Sequence, residues 1–298
     1  MVTTRKVLNQ AQGEGWMLYN DDSAEVLKGL PDSSVHFSVF SPPFSSTYTY
    51  SASERDLGNV RSHEEFFEHF GFITKELLRV MIPGRLVAIH CANLPTYQNT
   101  HGASGRYDFR GDVIRHFIEY GFIYHSEITI DKNPQSQAIR NHSKGLLFVQ
   151  LQRDAAAMWQ AWADYIVIMR VPGINPIPVE QNISHETWIE WAAPVWKGIR
   201  ETDVLPVLEA RDEEDERHLC PLQLPVIERC IKLWSNKNEV VLSPFAGVGS
   251  EGVVALREGR RFIGIELKPS YFNVAVANLQ EAEMVAKGGT LFSWAEAQ

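Results

Sequence analysis

Residues 240–250 read Val-Val-Leu-Ser-Pro-Phe-Ala-Gly-Val-Gly-Ser, an apolar run that leads through a turn with two glycines into a segment with helical spacing. The pattern predicts a buried strand at 239–242 and a helix at 249–257. Glycine lets the backbone pass close to a ligand at the carboxyl end of a strand, where open α/β sheets bind nucleotides. The stretch therefore predicts an α/β fold, with either a ligand site or a purely structural turn at 245–249.

A second strand, predicted at 261–266, ends in Glu266. A carboxylate at that place can accept hydrogen bonds from both ribose hydroxyls of an adenosine. The turn at 245–249 lacks the third glycine of the GxGxxG dinucleotide fingerprint, which disfavours NAD and FAD. The turn and Glu266 together predict an adenosine-containing ligand of another kind.

The rest of the chain alternates strand and helix patterns, as α/β proteins do. Further strands are predicted at 35–40, 86–90, 123–130 and 165–171, and further helices at 66–80, 112–120, 221–234 and 270–286. Residues 146–162 are predicted to be mostly helical in their later half. From 172 to 217, closely spaced prolines, several tryptophans and a cluster of acids indicate an insertion or subdomain.

The tetrapeptide Ser41-Pro42-Pro43-Phe44 follows the strand predicted at 35–40. Proline has no N–H for a strand ladder and disfavours helix in the residue before it, so the strand must end here. A hydroxyl, the rigid carbonyl of Pro42 and an aromatic ring then converge at the edge of the sheet. Such a set suits a planar heterocycle with an amino group. The two oxygens can accept hydrogen bonds from the amino N–H groups, while the aromatic side chain stacks on the face of the heterocycle. The alternative is a proline-capped strand end with no ligand.

The two motifs together resemble the DNA amino-methyltransferases that use S-adenosyl-L-methionine. That family carries an (Asp/Asn/Ser)-Pro-Pro-(Tyr/Phe) catalytic motif and a Phe-x-Gly-x-Gly cofactor motif. Here the catalytic motif comes first, which is similar to the permuted group in which a target-recognition segment separates the two halves. The resemblance spans residues 17–285 and implies a circularly permuted, Rossmann-like class I methyltransferase sheet with helices on both faces.

The resemblance also implies an organisation and a set of site residues. Residues 1–171 would form the catalytic half, 172–217 the inserted target-recognition segment and 218–298 the cofactor-binding half. The implied catalytic residues are Ser41, Pro42, Pro43 and Phe44. The implied cofactor-binding residues are Asp22, Pro221, Phe245, Gly247, Gly249 and Glu266. The helix start at 218–225 departs from the family pattern, because Leu219 stands where proline is usual.

The first residue of the tetrapeptide, Ser41, indicates which base is the substrate. Ser-Pro-Pro-(Tyr/Phe) mostly resembles the cytosine-N4 enzymes of this family, whereas Asp-Pro-Pro-Tyr resembles the adenine-N6 enzymes. We therefore expect methyl transfer from S-adenosyl-L-methionine to the exocyclic amino group of a flipped base, with cytosine N4 favoured. Adenine N6, an amine or amide of RNA or protein, and a non-catalytic nucleic-acid-binding module are the alternatives. Serine is a poor proton acceptor, so we expect the amine proton to leave to water.

The formal net charge of −9 at first argues against binding to a polyanion, but residues 201–218 alone carry −6 of it. A basic stretch at 131–153 carries a net +3, which suits phosphate contacts as well as an ordinary solvated face. The residues expected to contact DNA are Lys132, Arg140, His142 and Lys144. The expected partner is double-stranded DNA, bound by a monomer or a homodimer. Residues 45–61 are expected to form a flap over the flipped nucleotide.

The three cysteines are widely spaced and form no CxxC or Cys/His pattern, which predicts a reducing compartment and no metal site. The polar start has no signal-peptide pattern. No run approaches the roughly 20 apolar residues that a membrane helix needs. The expectation is a cytoplasmic protein that does not engage membranes.

Overall fold

The computed structural model describes residues 9–43, 62–96, 98–140, 144–181, 183–206 and 221–288. The strands are Asn9–Gly13 (β1), Trp16–Asn20 (β2), Phe37–Phe40 (β3), Leu86–Ala92 (β4), Leu94–Thr96 (β5), Gly105–Tyr107 (β6), Ile123–Ile130 (β7), Asp164–Arg170 (β8), Val195–Trp196 (β9), Val240–Ser243 (β10) and Arg261–Ile265 (β11). The helices are Ser23–Lys28 (α1), His63–Val80 (α2), Gln98–His101 (α3), Phe109–Glu119 (α4), Pro134–Arg140 (α5), Phe148–Arg153 (α6), His185–Trp191 (α7), Leu224–Trp234 (α8), Ser250–Arg257 (α9) and Pro269–Ala286 (α10).

Nine of these strands form one sheet in the order β1-β2-β11-β10-β3-β4-β8-β7-β9. The five strands from β2 to β4 pair in parallel, so their carboxyl ends meet at one edge. Strand β8 runs antiparallel between β4 and β7. The catalytic and cofactor motifs follow β3 and β10, which are neighbours in the sheet although far apart in the chain.

Helices cover both faces of this sheet, as the alternation of side chains along β3 shows. Phe37 and Val39 point into a core shared with α8, α9 and α10. Phe40 points into a second core shared with α1, α2 and α4. Because successive side chains of a strand point to opposite faces, the two cores lie on opposite sides of the sheet. The predicted fold class, an α/β methyltransferase-like sheet between two helical layers, is confirmed.

The structure changes one sequence prediction about the middle of the chain. Residues 146–162 are helical in their earlier half, at α6, and the prediction for the later half is wrong. That half holds only a single 3₁₀ turn, Ala155–Ala157, followed by irregular backbone. Trp162 is held there by hydrogen bonds of its N–H and carbonyl with the side chain of Gln137, at 2.7 and 2.6 Å. These two bonds satisfy the backbone groups without a helix.

The segment predicted as an insertion at 172–217 is continuous with the main sheet in its described part. Strand β9 pairs in parallel with the end of β7. The Trp196 side chain is fully buried in the core with α8. Strand β9 is too short for alternation to reveal it, because it has only two residues between Pro194 and Lys197. The acidic stretch at 209–216 lies outside the described residues.

Within the described ranges, none of the helices combines the length and apolar character that crossing a membrane requires. The same ranges hold no group of three or more His, Cys, Asp or Glu side chains placed to bind a metal ion.

Candidate active site

The glycine turn after β10 and the acid after β11 are joined by a hydrogen bond. The Gly247 N–H donates to Glu266 Oε2 at 2.8 Å, and the Lys268 N–H donates to Glu266 Oε1 at the same distance. Since β10 and β11 are parallel neighbours, their carboxyl ends deliver the turn and the carboxylate to one point. The carboxylate is therefore fixed in orientation beside the glycine backbone, as a ribose acceptor must be.

The two glycines of the turn serve different purposes. Gly247 has φ +52°, and a Cβ built on it would meet no atom within 4 Å, so the space over this residue is open. Gly249 has φ +87° and is the residue directly before α9, and a Cβ there would lie 3.3 Å from the Cβ of Ala275 on α10. Gly249 thus allows close helix packing, whereas Gly247 leaves room for a ligand. An adenosine-containing ligand fits this arrangement.

Asp22 lies at the edge of the same region. Its side chain caps α1 by accepting from the Glu25 N–H at 3.1 Å. The next residue, Ser23, donates its hydroxyl to the Pro244 carbonyl at 2.5 Å, which ties the start of α1 to the glycine turn. Asp22 is therefore placed beside the cofactor loop, with one carboxylate oxygen engaged in the cap. Pro221 is half-buried, three residues before α8.

The start of the catalytic motif follows β3 directly. Pro42 is buried, and Ser41 and Pro43 are half-buried. Phe40 packs against Phe245 of the cofactor loop with ring centroids 5.7 Å apart. Phe44 and the expected flap at 45–61 lie outside the described residues. The strand that leads into the motif is thus held against the glycine turn by an aromatic contact.

Ser41 has a partner that the sequence did not suggest. Its Oγ lies 3.1 Å from Nδ1 of His90, which is near the carboxyl end of the neighbouring strand β4. The other ring nitrogen of His90, Nε2, lies 3.3 Å from Oδ2 of Asp164 at the start of β8. One sign was present in the sequence: His90 is a polar residue inside the apolar run 86–92, at the strand end adjacent to the motif.

The structure corrects the expectation that Lys132 belongs to an exposed DNA-binding face. The Lys132 side chain is only 5% exposed, and its Nζ lies 2.6 Å from Asp164 Oδ2 and 3.8 Å from Glu201 Oε1. A lysine whose charge is buried against two carboxylates is not available to a phosphate. Burial alone would raise the pKa of Asp164, but the contacts with His90 and Lys132 hold that pKa below its usual value.

The other expected DNA contacts are placed only in part. Arg140 is the last residue of α5 and Lys144 begins a 3₁₀ turn, Lys144–Leu146, while His142 lies outside the described residues. The region between β7 and β8 also exposes large apolar side chains, among which Phe148 is 71% exposed. The described part of this region is therefore a surface with exposed apolar side chains.

A second buried acid lies behind the glycine turn. Glu251, in the first turn of α9, is only 4% exposed. Burial raises the pKa of Glu251 to about 8, and the charge of Glu266 acts in the same direction. The Glu251 side chain is therefore mostly uncharged at neutral pH, which leaves Glu266 as the charged acid of this pair.

Comparison with known proteins places these features in one family. A family model described as DNA methylase, for N6 and N4 methyltransferases, matches residues 35–277. The type II methyltransferase M.Cfr9I of Citrobacter freundii is 26% identical over 89% of this chain and 88% of its own length. The type II methyltransferase M.BglI of Bacillus subtilis is 33% identical, but the match covers 39% of this chain and only 30% of that protein.

Two solved structures share the fold. A candidate DNA modification methylase of Thermus thermophilus, complexed with S-adenosyl-L-methionine, superimposes with a TM-score of 0.66 at 24% identity, covering 89% of this chain and 95% of that one. The PvuII DNA methyltransferase, described as cytosine-N4-specific, gives a TM-score of 0.63 at 16% identity, covering 93% and 94%.

Proposed function

Since the chain belongs to the DNA methylase family of N6 and N4 amino-methyltransferases, whose cofactor is S-adenosyl-L-methionine, we propose that it methylates the N4 amino group of cytosine in double-stranded DNA. When bound, the cofactor supplies a methyl group on a positively charged sulfur. The residues of this chain must then place an amine in line with that methyl group and exclude water from it.

The contact between Phe40 and Phe245 carries the proposal. It joins the residue before Ser41 to the first residue of the glycine turn, and β3 and β10 also pair directly. Ser38 Oγ adds a buried hydrogen bond of 2.9 Å to the Leu242 carbonyl. The loop that would hold the amine and the loop that would hold the cofactor are therefore rigidly adjacent. Positioning of this kind supplies much of the catalysis in a direct group transfer.

The choice of cytosine rests on Ser41. An exocyclic amine has its lone pair delocalised into the ring, and acceptors at Ser41 Oγ and the Pro42 carbonyl favour a tetrahedral nitrogen whose lone pair can attack. The family resemblance links serine at this position to cytosine N4. A target base inside a duplex cannot reach this edge of the sheet, so the base is expected to flip out of the helix.

We also propose which parts of the chain recognise DNA. Segment 172–217 is proposed to read the target sequence, and Arg140, His142 and Lys144 are proposed to contact phosphates. One contact supports this placement: Glu201 Oε1 lies 3.8 Å from Nζ of Lys132, which also contacts Asp164.

A labelling experiment tests the class of substrate. Purified protein is incubated with methyl-labelled S-adenosyl-L-methionine and, in separate reactions, with unmethylated genomic DNA, total RNA or a protein extract. We expect label in the DNA alone and none with the Ser41→Ala variant. Label in RNA or protein, or unlabelled DNA with a protein that binds the cofactor, would overturn the proposal.

A further inference from the structure

We propose that His90 is a positioning residue that, supported by Asp164 and Lys132, makes Ser41 the acceptor for the proton that the amine loses. This inference rests on the proposed function, since it concerns methyl transfer to an amino group at Ser41. It replaces the expectation that the proton leaves directly to water. It adds His90, Asp164 and Lys132 to a motif that the sequence confined to 41–44.

The strand register brings these side chains to one face of the sheet. Phe40 is opposite Ile89 in the parallel pair β3–β4, so Ser41 comes opposite His90 one residue further on. Asp164 is opposite Ala92, two residues after His90. Because side chains alternate with a period of two, all three residues point to the same face.

The alternation of side chains also places Lys132 on the same face of the sheet as Asp164. Ile130 at the end of β7 is opposite Asp164 on β8, and Lys132 follows two residues later. Its Nζ reaches Asp164 Oδ2 at 2.6 Å, the shortest link in the array. The array therefore runs from Ser41 through His90 and Asp164 to Lys132, across four adjacent strands of one sheet edge.

The contacts assign a direction to the hydrogen bond between Ser41 and His90. Nε2 faces the Asp164 carboxylate at 3.3 Å, which places the proton of a neutral imidazole on Nε2. Nδ1 is then an acceptor, so the Ser41 hydroxyl donates to it over 3.1 Å. With its own hydrogen engaged there, Ser41 Oγ presents only lone pairs to an approaching N–H group. A serine that could act as donor or acceptor is thus fixed as an acceptor.

The charges around the ring suit a transient positive charge on it. The ionisable groups on its face are Asp164 on β8, Lys132 after β7 and Glu201 after β9. Arg110 and Glu127 lie on the opposite face, where Arg110 stacks on Tyr165, the residue paired with Cys91. The carboxylates of Asp164 and Glu201 carry two negative charges and Lys132 carries one positive charge. The net charge of −1 can balance an imidazolium at His90.

The proton balance of the step follows from this arrangement. The amine nitrogen forms a bond to the methyl carbon as the bond from that carbon to sulfur breaks, and the sulfur leaves as a neutral thioether. The nitrogen, now carrying a positive charge, gives one proton to Ser41 Oγ while the Ser41 hydroxyl proton passes to His90 Nδ1. The imidazolium beside Asp164 later releases its proton to solvent. The products are a neutral methylated amine and one free proton.

Single-turnover kinetics on DNA that the wild-type protein methylates test the relay. We expect His90→Asn to lose about 100-fold in methyl-transfer rate, the scale of a lost proton acceptor, with the affinity for S-adenosyl-L-methionine unchanged. Imidazole in the buffer should restore part of the rate to His90→Ala.

A matched control is His125→Asn, which changes an exposed histidine on β7. It should keep the wild-type rate and show no response to imidazole. DNA labelled by His90→Asn as fast as by the wild type, or a folded His90→Ala that binds cofactor and does not respond to imidazole, would overturn the relay alone. Wild-type protein that binds cofactor and labels no DNA would overturn the proposed function, and the relay with it.

Discussion

The rings of Phe40 and Phe245 pack with their centroids 5.7 Å apart and join the two halves of the site. Phe40 ends the strand that precedes Ser41, and Phe245 begins the glycine turn before α9. Neighbouring parallel strands bring their carboxyl ends to one edge, so a contact between residues distant in sequence becomes local in the fold. The permuted order of the motifs is thereby compatible with one compact site.

Gly247→Ala should weaken binding of S-adenosyl-L-methionine more than it weakens the fold. The new methyl group would enter the open space over the turn, and φ +52° disfavours any residue with a Cβ by about 1 kcal/mol. Isothermal titration measures the affinity and thermal unfolding the stability.

Gly102→Ala is the matched control for this change, because Gly102 also has a positive φ, +75°, and open space around its Cβ position, but lies outside the site. It should lose similar stability and keep the cofactor affinity. Equal loss of affinity in both variants would mean that Gly247 has no contact with the cofactor.

Glu251→Gln should remove a pH dependence of stability. In the unfolded chain this carboxyl ionises near pH 4.5, whereas in the fold it stays protonated up to about pH 8. The contribution of the protonated acid is therefore complete below pH 4.5 and is lost as the pH rises towards 8, since unfolding then allows ionisation. Urea unfolding of both proteins between pH 5 and 9 should show a decline in the wild type that the variant lacks. Parallel curves would show that Glu251 ionises normally in the fold.

Lys132→Met and Lys144→Met should have different effects on DNA binding. Lys132 is neutralised by Asp164, so its loss should lower the unfolding midpoint and leave the salt dependence of binding unchanged. Loss of Lys144 should reduce the slope of log affinity against log salt by about one, if it contacts a phosphate. Fluorescence anisotropy at several salt concentrations measures both slopes. A reduced slope for Lys132→Met would show that it contacts DNA after all.

The sequence predicted six strands of the main sheet, β3, β4, β7, β8, β10 and β11, but not β1 and β2. Two of the six have a strong stop signal beside an apolar run. The strand before Ser41 ends at two prolines, and the strand before Phe245 ends at a proline and two glycines. The candidate site residues at those strand ends could therefore be chosen from the sequence. Strand β9 could not, because its two residues are defined only by pairing with β7.

The roles of His90 and Lys132 depend on tertiary contacts that composition does not encode. Lys132 stands in a basic stretch, and only the register of β7 against β8 shows that it points at Asp164. His90 belongs to an apolar strand pattern, where a histidine is compatible with an ordinary core position. Its neighbour Ser41 is distant in sequence, and the parallel pairing of β3 with β4 is what brings them together.

Nucleoside analysis tests the central claim most directly. Unmethylated genomic DNA is treated with purified protein and S-adenosyl-L-methionine, digested to nucleosides and analysed by mass spectrometry, with the Ser41→Ala variant as control. The account predicts N4-methyl-2′-deoxycytidine in the wild-type reaction and none with the variant. N6-methyl-2′-deoxyadenosine as the product would contradict the assignment to cytosine.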